Sequence, residues 1–189
     1  MFKKTSNLIY IAYFLFFGIY FGFRIFSAGG GLGAWQAYLS VFWWLLGAYV
    51  GYWLLSLDRL IDVYFTHPET KLSVYIRGLI SKNKVKQAVS DLEKYKDFQK
   101  NLALRSALFQ AIWVPLGFFT LTSTASLFGK SVVIGLGFHL LLDEWEDVKS
   151  GKGISWLFWQ IKRKISEKEQ KVYLWTMTGV FLVFTLMLL

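Results

Sequence analysis

The sequence predicts an all-α protein, a polytopic transmembrane helical bundle with about five spans plus cytoplasmic interfacial helices. Three observations predict it. The 189-residue chain is 55% hydrophobic and 20% aromatic. A single core cannot bury so many apolar side chains, so lipid has to cover part of the apolar surface. The apolar residues form separate stretches close to the ~20 residues that a membrane helix needs. The basic residues are concentrated between those stretches, as in topology signals.

The predicted spans form a single membrane domain of residues 1–189. They lie at about residues 8–26, 34–57, 104–128, 131–148 and 172–189. A glycine-rich turn joins the first two spans, and each of these carries two glycines four residues apart, which lets helix backbones approach closely: Gly18 with Gly22, and Gly47 with Gly51. The fourth span has only eleven uninterrupted apolar residues, Val132–Leu142, so it either borrows length from the acidic stretch that follows or ends shallow.

The first apolar stretch has a second interpretation. Lys3 and Lys4 precede it, as basic residues precede the core of a signal peptide. Its 19-residue apolar core, interrupted by Arg24, has no clear cleavage site, and this favours a retained helix.

The two long polar loops, residues 58–103 and 149–171, are predicted to be cytoplasmic. Between Ser81 and Lys100, apolar residues recur at helical spacing and predict an amphipathic interfacial helix: Val85, Ala88, Val89, Leu92, Tyr95 and Phe98. The segment Ile154–Ile165 also has an interfacial pattern.

The distribution of charge predicts the orientation. Of 21 Lys and Arg residues, two lie at the N-terminus, ten between residues 59 and 105 and seven between residues 149 and 171, leaving Arg24 and Lys130 for the opposite side. This predicts a multi-pass protein of the cell inner (cytoplasmic) membrane with its N-terminus in the cytoplasm and its C-terminus outside. The net charge of +9 would suit nucleic acid in a soluble domain, but here we expect membrane lipids with anionic headgroups as partners, and no nucleic acid.

Four candidate metal ligands are predicted to meet at the cytoplasmic face. Asp58 and Asp62 lie one turn apart at the end of the second span, and His139 and Asp143 lie one turn apart on the fourth. Histidine with carboxylates suits a divalent metal such as Zn²⁺, Mn²⁺ or Fe²⁺, and three anionic oxygens near lipid need a cation. A metal-bound water with its pKa lowered towards ~7 would make hydrolysis the natural chemistry.

Two further residues complete the predicted catalytic site. Arg105 is placed to hold a phosphate, or equally to extend towards lipid headgroups. Glu144 or Glu146 is the expected acceptor for the second ring nitrogen of His139. The simpler alternatives stay open: acidic residues at a helix end are often solvated at the headgroups, and Asp58 and His139 would then only pair helices. His67, which precedes Pro68, is expected at the surface.

These residues resemble the motifs of the bacterial inner-membrane family described as membrane-bound metal-dependent hydrolases. The family's acidic motif is similar to Leu55-Ser56-Leu57-Asp58 with Asp62 in this chain. Its middle motif is similar to Leu104-Arg105-Ser106-Ala107-Leu108-Phe109, and its last motif is similar to His139-Leu140-Leu141-Leu142-Asp143. The two histidines of the family's middle motif are absent here. The resemblance implies a membrane fold and a metal-dependent hydrolase.

Two functions follow as hypotheses. The first is a metal-dependent hydrolase acting on an ester or phosphoester at the inner leaflet, with Arg105 holding the anion. The alternative is a non-enzymatic membrane scaffold, or a protein that docks lipid or a partner, with basic cytoplasmic interfacial helices. Whether the chain is an enzyme stays open at this point.

Overall fold

The computed structural model describes residues 2–28, 30–95, 99, 102–123 and 126–189, and within these ranges it is all-helical without strands. This confirms the predicted all-α class. The elements are α1 (Phe2–Ala28), α2 (Gly30–Ile61), a π-helical turn (Asp62–Thr66), α3 (Lys71–Ser81), α4 (Val85–Lys94), α5 (Ala107–Ser123), α6 (Leu127–Lys149), a 3₁₀ turn (Ser155–Phe158) and α7 (Glu167–Leu186).

Two helices are long and apolar enough to cross a membrane, within the part of the chain that the structure describes. They are Thr5–Ser27 in α1 and Ala34–Thr66, which includes α2 and the π-helical turn. The other three predicted spans differ for physical reasons. Helix α5 is apolar but has only 17 residues, α6 carries acidic side chains, and α7 begins with a charged turn.

Helix α6 is the centre of the bundle, since it contacts α1, α2, α5 and α7. Its side chains Ile134, Leu140 and Glu144 are fully buried. Aromatic rings fill the space around it: Phe138 stacks on Phe181 of α7 with ring centroids 4.8 Å apart. The helix continues through the acidic stretch, which is the first of the two alternatives that the short apolar run left open. Of those acidic residues Glu144 is buried, whereas Asp143, Glu146 and Asp147 are partly exposed.

The most extensive contact joins α2 and α6. Glycines make the close approach possible: a methyl group on Gly51 would lie 2.5 Å from the Val132 carbonyl oxygen, and one on Gly47 would collide with Ser131. The glycine pair of α1, in contrast, faces α2, where the nearest atoms belong to Trp44 and Val41. The two predicted pairs therefore serve two different contacts.

Helices α3 and α4 form a smaller unit beside the end of α2. Val63, Ile76, Leu79, Ala88 and Leu92 make a separate apolar cluster there. The predicted amphipathic helix is present over 85–94, but Ala88 and Leu92 pack on protein and are not left for the lipid surface. Phe98 lies outside the described residues.

The segment before α7 also differs from the expected interfacial pattern. Ile154, Leu157 and Phe158 are buried in the main core, and only Trp159 and Ile161 are exposed apolar side chains. The buried residues attach this segment to the bundle.

Candidate functional site

The central contact of the candidate site is an ion pair between Arg105 and Asp143. Arg105 lies in the short segment before α5, and its Nη2 donates to Asp143 Oδ2 on α6. The two side chains are only 9% and 14% exposed, and the guanidinium also lies 6.0 Å from the Trp156 ring. The anion that Arg105 holds in the structure is thus a carboxylate of the protein itself.

Asp58 stabilises the same segment from the end of α2. Its Oδ2 accepts a hydrogen bond from the backbone N–H of Leu104 at 2.8 Å. Asp58 is buried, and Arg105 lies within electrostatic range of it. The segment before α5 is therefore attached to α6 through the Arg105 side chain and to α2 through the Leu104 backbone.

Asp62, one turn after Asp58, has other partners. Its Oδ1 lies 2.6 Å from His67 Nδ1, and its Oδ2 accepts from Gln99 Nε2 at 3.1 Å. His67 is half-exposed, as expected for a surface residue, but its ring pairs with Asp62. The π-helical turn that begins at Asp62 directs this carboxylate towards the polar loop.

His139 is directed into the bundle against α2. Its ring stacks on that of Tyr52, with centroids 4.0 Å apart and planes 2° from parallel. Nδ1 lies 3.0 Å from the Tyr52 carbonyl oxygen; because a carbonyl only accepts, Nδ1 carries the proton. Nε2 then faces Asp143 at 4.0 Å. The acceptor is thus the Tyr52 carbonyl, where the sequence predicted Glu144 or Glu146.

Glu144 lies on a different side of α6 from His139. It is fully buried, and Gln110 Nε2 of α5 donates to its Oε1. Tyr173 of α7 donates in turn to Gln110 Oε1 at 2.9 Å. Glu146 instead accepts from Ser6 at 3.5 Å.

The sequence interpretation missed the partners Tyr52, Gln99, Gln110 and Tyr173. For Gln110 a signal existed, because an amide within an apolar membrane segment needs a partner on another helix. The Leu104 amide and the Tyr52 carbonyl gave no signal, because backbone groups look alike in every sequence.

The predicted ligands do not fit a metal ion as they stand. Across the described ranges, no three His, Cys, Asp or Glu side chains come together in a group that could hold one. The Arg105 cation occupies the position next to Asp143, and Asp62 is directed to His67. The metal site therefore stays a prediction.

Comparison with known proteins found no matching family model, no matching curated protein and no matching solved structure. The resemblance to membrane-bound metal-dependent hydrolases therefore also stays a prediction.

Proposed function

We propose that the chain is a multi-pass protein of the inner membrane that docks anionic lipid headgroups at its cytoplasmic face and catalyses no reaction. In this proposal α1, α2, α5, α6 and α7 are the five spans. Exposure supports it for α1 and α2, because only 28% of the residues in the apolar stretch of each are buried. The core helix of a soluble protein would be mostly buried.

The outer faces of α5 and α7 support the same arrangement. Large apolar side chains on them are exposed: Leu108, Ile112 and Phe119 on α5, and Val172, Trp175 and Leu182 on α7. Water does not tolerate so much contiguous apolar surface on one molecule, and lipid does. Helix α1 is held by buried Phe14 and Phe17, which favours a retained span over a signal peptide.

The observation that carries the docking proposal is an apolar and basic surface, which we call the docking surface and define by Phe65, Lys71, Val74 and Tyr75. Phe65, just after α2, is 79% exposed. Lys71, Val74 and Tyr75 lie three and four residues apart, so they share one face of α3, and all three are exposed. Apolar side chains beside lysines are typical of helices that lie at a membrane surface.

Charge supports docking at anionic lipid in particular. Three lysines are exposed in addition to Lys71: Lys82 and Lys84 between α3 and α4, and Lys86 in α4. Each basic residue near an anionic leaflet contributes about 1 kcal/mol, and the attraction weakens with salt. The few basic residues at the opposite end offer no comparable attraction.

A single introduced cysteine tests the proposal, since the chain has none of its own. The Val74→Cys variant, carrying an environment-sensitive fluorophore, is reconstituted in nanodiscs of phosphatidylcholine alone or with phosphatidylglycerol. We expect a blue-shifted emission with phosphatidylglycerol that reverses in high salt.

The matched control is Ser90→Cys, an exposed polar position on α4. Its emission is expected to be the same in both lipids. The proposal would be contradicted if the emission wavelength of the Val74→Cys variant were the same in both lipids, or if it shifted no more than that of the Ser90→Cys variant.

A further inference from the structure

A groove lies between α1 and α2 and extends along both helices. Its volume is about 360 Å³, which is within the range of small-molecule sites. Side chains between Asn7 and Leu15 line it from α1, and side chains between Leu45 and Trp53 line it from α2. All of them except Asn7 are apolar or aromatic. The groove therefore fits a ligand that is apolar along most of its length.

The floor of the groove is apolar although it contains a tyrosine. Tyr10 is only 6% exposed, and its hydroxyl donates to the Ala48 carbonyl oxygen at 2.8 Å. Phe14 is also buried, and its ring centroid lies 4.8 Å from that of Tyr10. Because the Tyr10 hydroxyl is already bonded, an occupant of the groove meets the ring carbon atoms. A flexible hydrocarbon chain packs on such a surface without leaving a polar group unpaired.

Hydrogen-bond donors are found at one end of the groove. The Tyr52 hydroxyl donates to Asn7 Oδ1 at 3.1 Å, and the amide nitrogen of Asn7 carries two further N–H groups. Trp53 adds an indole N–H at the same end. None of the described residues that line the groove is acidic, and α1 begins with Lys3 and Lys4 in its first turn. This end therefore fits an anionic group that accepts hydrogen bonds, such as a phosphate beside an ester.

The length of the groove matches one leaflet of a membrane. Leu15 follows Asn7 by eight residues of α1. At ~1.5 Å per residue this is about 12 Å. Half of a hydrocarbon core ~30 Å thick is about 15 Å. In the orientation proposed above the Asn7 end is cytoplasmic, so the groove runs from the headgroups of the inner leaflet towards the midplane.

We propose that this groove binds one acyl chain of a phospholipid of the inner leaflet, with Asn7 and Trp53 donating to its phosphate or ester oxygen atoms. Bulk lipid is as apolar as the groove, so the preference for the bound lipid comes from close packing and from these hydrogen bonds. The inference rests on the proposed membrane placement. It does not rest on the docking surface, because no residue of that surface lines the groove.

Native mass spectrometry of the full chain tests this in a non-ionic detergent with added palmitoyl-oleoyl phosphatidylglycerol. We expect the wild-type chain to keep one phospholipid through detergent exchange. Ile11→Trp should lose it, because Ile11 lines the groove, is 53% exposed and can be enlarged into the groove without entering the core. The matched control is Ile19→Trp on the same helix. Ile19 is 72% exposed and does not line the groove, so this variant should keep the phospholipid.

Three results would overturn the proposal. The first is a wild-type chain that keeps no phospholipid, and the second is an Ile11→Trp variant that keeps as much as Ile19→Trp. The third is a wild-type dimer that Ile11→Trp dissociates, since the groove would then hold a second copy of the chain. The wild-type measurement needs no variant, so an Ile11→Trp protein that fails to fold does not spoil the test. If only the groove proposal fails, the Val74→Cys emission still shifts with phosphatidylglycerol.

Discussion

The contact between α2 and α6 makes a quantitative prediction at Gly51. An alanine methyl group there would lie 2.5 Å from the Val132 carbonyl oxygen and 2.9 Å from the Leu136 backbone nitrogen, whereas ordinary contact begins at 3.4 Å. Both atoms belong to the α6 backbone, so no side chain can rotate away. The two helices have to separate.

The magnitude follows from two opposing effects. Overpacking of this kind costs about 1–3 kcal/mol. Replacing glycine by alanine within a helix returns roughly 0.5–1 kcal/mol through backbone entropy. We therefore expect Gly51→Ala to lower the free energy of unfolding by about 1 kcal/mol, the difference between the midpoints of these two ranges, within limits of about 0–2.5 kcal/mol.

The assay is equilibrium unfolding of the chain in mixed micelles by added SDS, followed by tryptophan fluorescence. Gly179→Ala on α7 is the matched control, because a methyl group there meets no atom within 4 Å. It is expected to leave stability unchanged or raise it by up to about 1 kcal/mol. If the two variants were equally stable, the close packing of α2 on α6 would be refuted.

Three further predictions concern the buried charges and the start of α7. Arg105→Met removes the arginine that pairs with Asp143, a side chain only 14% exposed, and should cost about 3 kcal/mol in the SDS assay. Most of this loss should be recovered in Arg105→Met/Asp143→Leu. A single variant within about 1 kcal/mol of wild type would count against the pair. Arg163 and the helix N-cap lower the pKa of Glu169 to about 2, so its contribution is complete above the unfolded pKa of ~4.3 and is lost as pH falls towards 2. Glu169→Gln should then flatten the acid limb of the stability curve in that window, and an unchanged limb would contradict this. Elemental analysis of purified protein should find less than one transition metal per chain; one equivalent that disappears in His139→Ala would instead favour the hydrolase.

The helices were predictable because hydrophobic length and loop charge are local properties of the sequence. The apolar stretches predicted α1 and α2 to within six residues of their ends, and the helical spacing around Ala88 predicted α4. Which helix packs on each helix face was not predictable, because this depends on contacts between residues that are distant in sequence. Ala88 and Leu92 meet α3, and Gly51 meets α6.

The candidate site shows the same limit. The convergence of Asp58, Asp62, His139 and Asp143 on one site stays a prediction, and in the structure Asp143 pairs with Arg105 while Asp62 pairs with His67. Their roles depended on which cation neutralises the carboxylates, and a sequence cannot tell an arginine that inserts between helices from one that extends to lipid. In the structure the cation beside Asp143 is Arg105, and the metal site stays a prediction.

The proposed five-span orientation is most directly tested by cysteine labelling from one side of the membrane. Single cysteines replace Ser27, Lys84, Lys130 or Lys162 in the cysteine-free chain, and intact cells are treated with a membrane-impermeant maleimide. We expect labelling at residues 27 and 130 in intact cells, and at residues 84 and 162 only after the membrane is permeabilised. Labelling of residue 84 in intact cells, or protection of residue 130 until permeabilisation, would contradict it.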